Sequence, residues 1–313
     1  MTTATRALTT VSTSRRRRRV KAERYRYNTR AGKVFDVFNV ALLTAIGLIA
    51  LFPFVFVLVR SFAPEAELES SSFFLWPKAF TFEAYNSIFS TPAFPRALIT
   101  TILVTAFGTV IQLFLTVLMA YPLSKRGLPG RNIIMSGVVF AMVFSGGMIP
   151  TFLIVKDLGL LNNYLALILP LAIDPFSLII IKNFFQNLPS ELEEAARVDG
   201  ASDFGVFWRV ALPLSKPVLA TFALFYAVAI WNDYMSPLLY LNDSSMWTLQ
   251  MFLKQVTSAS NLQSAQQDQP GYVAPSEGVK YAVVVVATIP VLIFYPFLQK
   301  HFAKGMLIGA VKG

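Results

Sequence analysis

Side chains able to do chemistry are few in this sequence. There is one histidine, His301, and no cysteine among 313 residues. A serine–histidine–aspartate set needs a nucleophile beside the imidazole and a carboxylate to orient it. His301 stands among Gln299, Lys300, Phe302 and Ala303 with neither at hand, and reads as a residue at a membrane interface. Without cysteine, no cysteine-built zinc or iron–sulfur site can form. A nucleotide-binding loop of the form G-x-x-x-x-G-K-[ST] is absent as well. Gly127-Leu128-Pro129-Gly130-Arg131 lacks both the lysine and the spacing. What remains is two isolated aspartates and one dense acidic cluster. Asp174 sits in Ile173-Asp174-Pro175 and Asp233 in Trp231-Asn232-Asp233-Tyr234, both inside apolar stretches. An ionisable group at membrane depth is costly and marks a pathway, unless it lies at an interface. For Asp233 both readings stay open; for Asp174, next to a proline, the structural reading is favoured.

The acidic cluster reads Leu188-Pro189-Ser190-Glu191-Leu192-Glu193-Glu194-Ala195-Ala196-Arg197-Val198-Asp199-Gly200. Ser190 followed three residues later by Glu193 has the form of a capping box. Glu191, Glu193 and Glu194 fall in the first turn, where the helix dipole favours anions. Gly200 can take the left-handed conformation that ends a helix. A helix of roughly nine residues, about 14 Å long, is expected. Leu192, Ala195, Ala196 and Asp199 share one face, and the two alanines let another chain come close. Ser202 is expected to cap a second short helix, with Phe204, Phe207, Trp208 and Ala211 as its apolar stripe. Leu212-Pro213 ends it. The aromatic helix would pack on the protein's own spans, leaving the acidic one to a cytoplasmic partner. On these residues alone, a solvated amphipathic loop is an equal alternative.

The elements that position these groups are set by composition. Hydrophobic residues make up 55% of the chain and charged residues 14%, against about 25% charged in soluble domains. This excludes a disordered chain and a disulfide-built secreted domain, and argues against a soluble globular enzyme. Six segments are long and apolar enough for membrane-spanning helices: 37–59, 97–124, 132–155, 158–181, 217–241 and 281–299. Eleven of the 27 basic residues lie in the first 33 positions, five of them the arginines at 15–19. The arm 1–33 reads as a disordered cytoplasmic anchor, and Tyr25 and Tyr27 are too few for a base-stacking surface. With both termini inside, the inner segments carry 21 Lys and Arg and the outer ones 6, which fits the positive-inside rule. Thr81 is expected to cap an interfacial helix before the second span. The stretch 255–279, rich in Gln, Ser, Ala and Pro, is expected to be an exposed outer loop.

The acidic loop also resembles a family. Glu194-Ala195-Ala196, three residues, Gly200, nine residues, Val210-Ala211-Leu212-Pro213 is similar to the EAA loop of ABC importer permeases, with Val210 in place of isoleucine as the one departure. Phe225-Tyr226, Trp231-Asn232 and the ending 304–313 are similar to carbohydrate-uptake permeases of the maltose-importer small-subunit type. Phe144-Ser145-Gly146-Gly147-Met148-Ile149-Pro150 and Leu158-Gly159-Leu160-Leu161-Asn162 resemble the lipoprotein-linked sugar and polysaccharide branch. The resemblance covers roughly residues 34–313.

It implies an all-α membrane protein with the type I importer permease fold, six transmembrane helices and both termini in the cytoplasm of a bacterial plasma (inner) membrane. It implies that the loop 188–213 docks into a separate ATPase. Glu194 would pair with a basic residue there, with Glu191, Ala195, Ala196, Asp199, Gly200, Leu212 and Pro213 completing the motif surface. ATP and Mg would be bound by two ATPase subunits, and no cofactor by this chain. The other partners implied are a second, different permease subunit and an extracytoplasmic substrate-binding protein, which the outer loop 242–280 would touch; nucleic acid is not among them. A sugar path needs hydroxyl-matching polar groups and aromatic faces. Tyr226, Trp231, Asn232 and Asp233 supply these, with Ser145 and Gly146 opening space on the third span. The rival readings are a permease for another solute and an ion-coupled transporter using Asp174 and Asp233.

Overall fold

Long apolar runs in a hydrocarbon layer must pair every backbone N–H and C=O internally, and helices do so within one segment. The computed structural model describes residues 30–70, 74–259 and 276–310. Every regular element among them is helical. The arginines at 15–19 and residues 260–275 lie outside the described residues, as does the side chain of His301. The chain forms two compact units, residues 1–54 and 55–313. Helix α1 (Arg30–Arg60) crosses that boundary and carries Pro53 inside it.

In the second unit, α2 (Glu65–Ser70) and α3 (Glu83–Ser90) precede α4 (Ala93–Ser124). The 32 residues of α4 extend about 48 Å at 1.5 Å per residue, enough to cross a bilayer core. Then follow α5 (Arg131–Val143), α6 (Met148–Asp157), α7 (Leu165–Ile168) and α8 (Pro175–Gln186). After them come α9 (Ser190–Val198), α10 (Asp203–Val206), α11 (Leu212–Leu214) and α12 (Lys216–Asn232). The last three are α13 (Met235–Tyr240), α14 (Leu249–Ala259) and α15 (Glu277–Ala310). Helix α4 is the centre of packing, with α12 and α8 against it. Gly108 leaves room for a side chain of α12: a Cβ there would stand 2.8 Å from Ile230 Cδ1. One core cluster joins Tyr121, Phe185, Phe207, Phe222 and Tyr226. A second joins Ile88, Phe94, Trp231, Leu249 and Val283.

Three of the expected spans are not single helices. The stretch 132–155 breaks at residues 144–147, and α5 and α6 meet at 117°. Gly147 takes φ 88 there, and Pro150 falls in the first turn of α6, where a missing N–H costs nothing. The stretch 158–181 bends by 56° between Leu165–Leu171 and α8. Asp174 is the N-cap of α8, its Oδ2 accepting the Ser177 N–H at 2.8 Å, with Pro175 behind it. The stretch 217–241 ends its long helix at Asn232. Asp233 Oδ1 then accepts the N–H groups of Met235 at 3.0 Å and Ser236 at 3.1 Å to start α13. At each break a glycine or a helix-capping polar residue interrupts the apolar run: Gly146-Gly147, Asp174-Pro175 and Asp233. Two helices are by themselves apolar and long enough to cross a membrane, and the bent pairs raise that to five among the described residues.

Two local expectations also change. Phe82, not Thr81, is the N-cap of α3, with no side-chain cap bond, and the Thr81 N–H donates to the Phe62 carbonyl at 2.8 Å. The stretch 255–279 is not all loop: α14 runs through Ala259 with Val256 buried, and α15 begins at Glu277.

Candidate functional site

Helix α9 starts differently from the capping box its sequence spells. Pro189 is the N-cap and Ser190 the first helical residue, with no side-chain cap bond. The Glu193 carboxylate is taken elsewhere. Both its oxygens accept from Lys125 Nζ, at the C-cap of α4. The other end forms as expected. Gly200 takes φ 87. Its N–H donates to Arg197 O at 3.0 Å, and the Ala201 N–H donates to Ala196 O at 2.9 Å, the paired bonds of a Schellman ending.

This geometry gives α9 two faces. Glu193 is turned inward at 9% exposure. Glu191, Leu192, Glu194, Ala195, Val198 and Asp199 are exposed, and Ala196 is half-buried. Glu191, Glu194 and Asp199 form no ion pair with a described residue. The outward face therefore carries three carboxylates beside one small residue and an apolar Val198. Such a face suits a cleft lined with basic groups.

The second short helix is held to the first. Arg197 bonds Asp203 at 2.9 Å, and Ser202 Oγ accepts the Gly205 N–H at 3.2 Å as the N-cap of α10. The expected aromatic stripe divides. Residues Phe207–Ala211 form a π turn, which adds a residue to the turn and rotates the stripe. Phe207 and Ala211 are buried in the core, whereas Phe204 and Trp208 stay exposed. Leu212 is half-buried against the same cluster and Pro213 is exposed. A 77° bend then leads from α11 into α12.

The residues considered for a path are spread over different surroundings. Tyr226 lies in the α4–α8–α12 core, its hydroxyl 3.2 Å from Thr116 Oγ1. Trp231 lies in the second cluster and donates its indole N–H to Ala287 O at 3.2 Å. Asn232 is exposed and returns its amide N–H to Val228 O at 2.8 Å. Asp233 is half-buried at the helix start described above. Ser145 and Gly146 are exposed at the break between α5 and α6, with Ser145 Oγ accepting the Gly147 N–H at 3.3 Å. Beside that break, Asn132, Ser136, Phe140 and Phe144 line an open groove of about 560 Å³ along α5. No group of three or more metal-ligating side chains occurs among the described residues. Sequence reading missed the Lys125–Glu193 pair. Its partners are 68 residues apart, and no local pattern joins them.

Comparison with known proteins decides the family. The family described as the inner membrane component of binding-protein-dependent transport systems matches residues 112–308. The chain belongs to this family. As an inner membrane transport component it is 60% identical over 288 residues to protein LplC of Bacillus subtilis, covering 92% of this chain and 98% of that one. It is 51% identical over 283 residues to the polygalacturonan/rhamnogalacturonan transport system permease protein YtcP of the same organism, covering 90% and 99%. A chain in the crystal structure of a bacterial ABC transporter involved in import of the acidic polysaccharide alginate matches with a TM-score of 0.79. That chain is 34% identical, over 88% of this chain and 99% of its own. The matched region contains α9, and the all-helical fold is that of the importer permeases.

Proposed function

We propose that this transport component is a transmembrane subunit of an ATP-driven importer for a sugar, oligosaccharide or polysaccharide. Its six spans place both termini in the cytoplasm, and the outward face of α9 docks into a separate ATPase. The observation that carries this reading is the division of α9: Glu193 is used inside the protein, while Glu194, Ala195 and Asp199 are held out with a fixed helix end behind them. A surface kept free of internal partners, yet rigid, is what a docking element requires. The likeness to YtcP and to the alginate importer supports a carbohydrate cargo, with uronate-containing chains the first to test. The exposed apolar side chains of α5, Ile133, Phe140 and Val143 among them, suit lipid or a second permease subunit. An extracytoplasmic binding protein completes the complex, a reading supported by the family's description as part of binding-protein-dependent transport systems.

Ion coupling through Asp174 and Asp233 has less support, because both carboxylates are engaged by backbone N–H groups at helix starts. The experiment is purification of the C-terminally tagged chain from native membranes in mild detergent, with mass spectrometry of what accompanies it. Wild type is expected to bring an ATPase and a second permease, and Glu194→Lys to lose the ATPase while remaining inserted. A wild-type chain that purifies alone in several detergents would overturn the proposal.

A further inference from the structure

Helix α9 must pass force to the spans to be useful, and its own packing offers few routes. Its closest backbone neighbours are α10 and the π turn, both adjacent in sequence. The other two ion pairs among the described residues, Arg197–Asp203 and Glu277–Lys280, are also local. The Lys125–Glu193 pair is different: it crosses from the buried face of α9 to the end of α4, 68 residues away. Lys125 is fixed at both ends. Its backbone N–H bonds Pro122 O at 3.0 Å, and its ammonium stands 4.6 Å from the centroid of the Tyr121 ring. Tyr121 in turn meets Phe207 at 4.8 Å and Phe185 at 5.5 Å between ring centroids. One node therefore ties α9, α4, α8 and the π turn together. Five residues before Tyr121, Thr116 of α4 reaches the hydroxyl of Tyr226 on α12 at 3.2 Å.

We infer that Lys125 and Glu193 are positioning residues that latch α9 to α4, so that displacement of α9 moves α4 as one body with it. The inference rests on the docking role proposed for the opposite face of α9. A half-buried pair that chelates an ammonium with both carboxylate oxygens resists shear, because sliding breaks two charge-assisted bonds at once. Glu194 faces outward and does not touch this node.

The cysteine-free chain allows the latch to be measured directly. Spin labels would be placed at Ser190→Cys, the exposed first residue of α9, whose side chain makes no cap bond, and at Phe114→Cys on the exposed side of α4. The full complex with its ATPase would be compared without nucleotide and trapped with Mg-ATP and vanadate, so no sugar is required. With the native pair, the α9–α4 distance is expected to be single and unchanged on trapping. With Glu193→Gln or Lys125→Met it is expected to be native without nucleotide. On trapping it should shift by more than about 3 Å, beyond the roughly 1–2 Å that packed helices slide. Lys125→Arg and the exchanged pair Lys125→Glu with Glu193→Lys should restore the single distance. The latch is overturned if the native distance itself shifts on trapping, or if the single variants stay unshifted. It is also overturned if they are already broadened without nucleotide and Lys125→Arg behaves the same, since the pair would then only keep α9 folded. A wild-type complex that holds no ATPase and does not trap would sink the docking role first, and the latch with it.

Discussion

The side chain of Asn162 holds the backbone of Asn242, 80 residues later, through an Oδ1 that accepts its N–H at 2.7 Å. The same oxygen accepts the Asp243 N–H at 3.2 Å. The Asn162 backbone N–H answers by donating to Tyr240 O at 2.8 Å. Two loops, one after α6 and one after α13, are thus closed against each other at a residue with φ 55. Asparagine tolerates that left-handed backbone better than other residues with a Cβ. Asn162→Ala loses two accepted bonds and adds strain, at a cost of about 2–3 kcal/mol. Asn162→Asp keeps the acceptor and the tolerance, and is expected within about 1 kcal/mol of wild type. Thermal unfolding in detergent checks the order; equal losses in the two variants would count against the clamp.

Gly200 sets where α9 stops. At φ 87, a Cβ is strained whatever space surrounds it, and nothing lies within 4 Å of the position. Gly200→Ala is expected to cost about 1–2 kcal/mol through backbone strain alone. Gly200→Asn should cost less, because asparagine enters this region more readily. The loss should appear both as a lower melting temperature and as reduced ATPase recovery on purification, since Asp199 and the end of α9 move together. Unchanged values for Gly200→Ala would show that the ending is not fixed by this residue.

What was legible in the sequence was what local chemistry decides. Gly200 and Ser202 each act on backbone within three or four residues, so their roles could be read from type and spacing. The family pattern in 194–213 could be read for the same reason. The Ser190–Glu193 capping box has a legible form too, but a lysine 68 residues away competes for Glu193 and wins. The break at residues 144–147 had Gly146-Gly147 as its signal, but the apolar runs on either side together are long enough to read as one span. The placement of Tyr226 and Trp231 in separate core clusters depends on which helices pack together. No single-sequence pattern carries that.

Trp231 tests packing against a path role. It is 5% exposed and its N–H is given to Ala287 O on α15. Trp231→Phe keeps most of the ring contact and loses one hydrogen bond, about 1 kcal/mol. Trp231→Ala opens a cavity and is expected to cost about 3–5 kcal/mol. If packing is its role, uptake per folded complex stays at the wild-type level in Trp231→Phe. A large fall in uptake at unchanged melting temperature would place the indole in contact with cargo instead.

The contact between Gly108 and Ile230 makes a pairwise prediction. The atom that a Cβ would meet at 2.8 Å is the tip of a flexible side chain, so Gly108→Ala should be absorbed by a rotation of Ile230. Gly108→Val cannot be absorbed that way, because Ile168 Cγ1 stands at 3.4 Å from the same Cβ. Overpacking of this kind costs about 1–3 kcal/mol. Ile230→Ala in the same chain should recover part of it, a non-additive result that a double-mutant cycle on melting temperature reads directly. Strict additivity would mean that α4 and α12 do not meet at this point.

Asp174 and Asp233 decide between capping and ion coupling. Both carboxylates accept backbone N–H groups at a helix start: Asp174 from Ser177 at 2.8 Å, and Asp233 from Met235 at 3.0 Å and Ser236 at 3.1 Å. Asparagine serves as an N-cap about as well as aspartate, since its side-chain oxygen accepts the same bonds without charge. Asp174→Asn and Asp233→Asn are therefore expected to leave stability within about 1 kcal/mol and to leave ATP-dependent uptake standing. An ion-coupled carrier needs the charge itself, so neutralising either residue would abolish its transport. The deciding measurement is uptake into proteoliposomes by the two asparagine variants, with and without a protonophore. Loss of uptake in an assembled complex, together with protonophore sensitivity in wild type, would replace the capping account with a proton path.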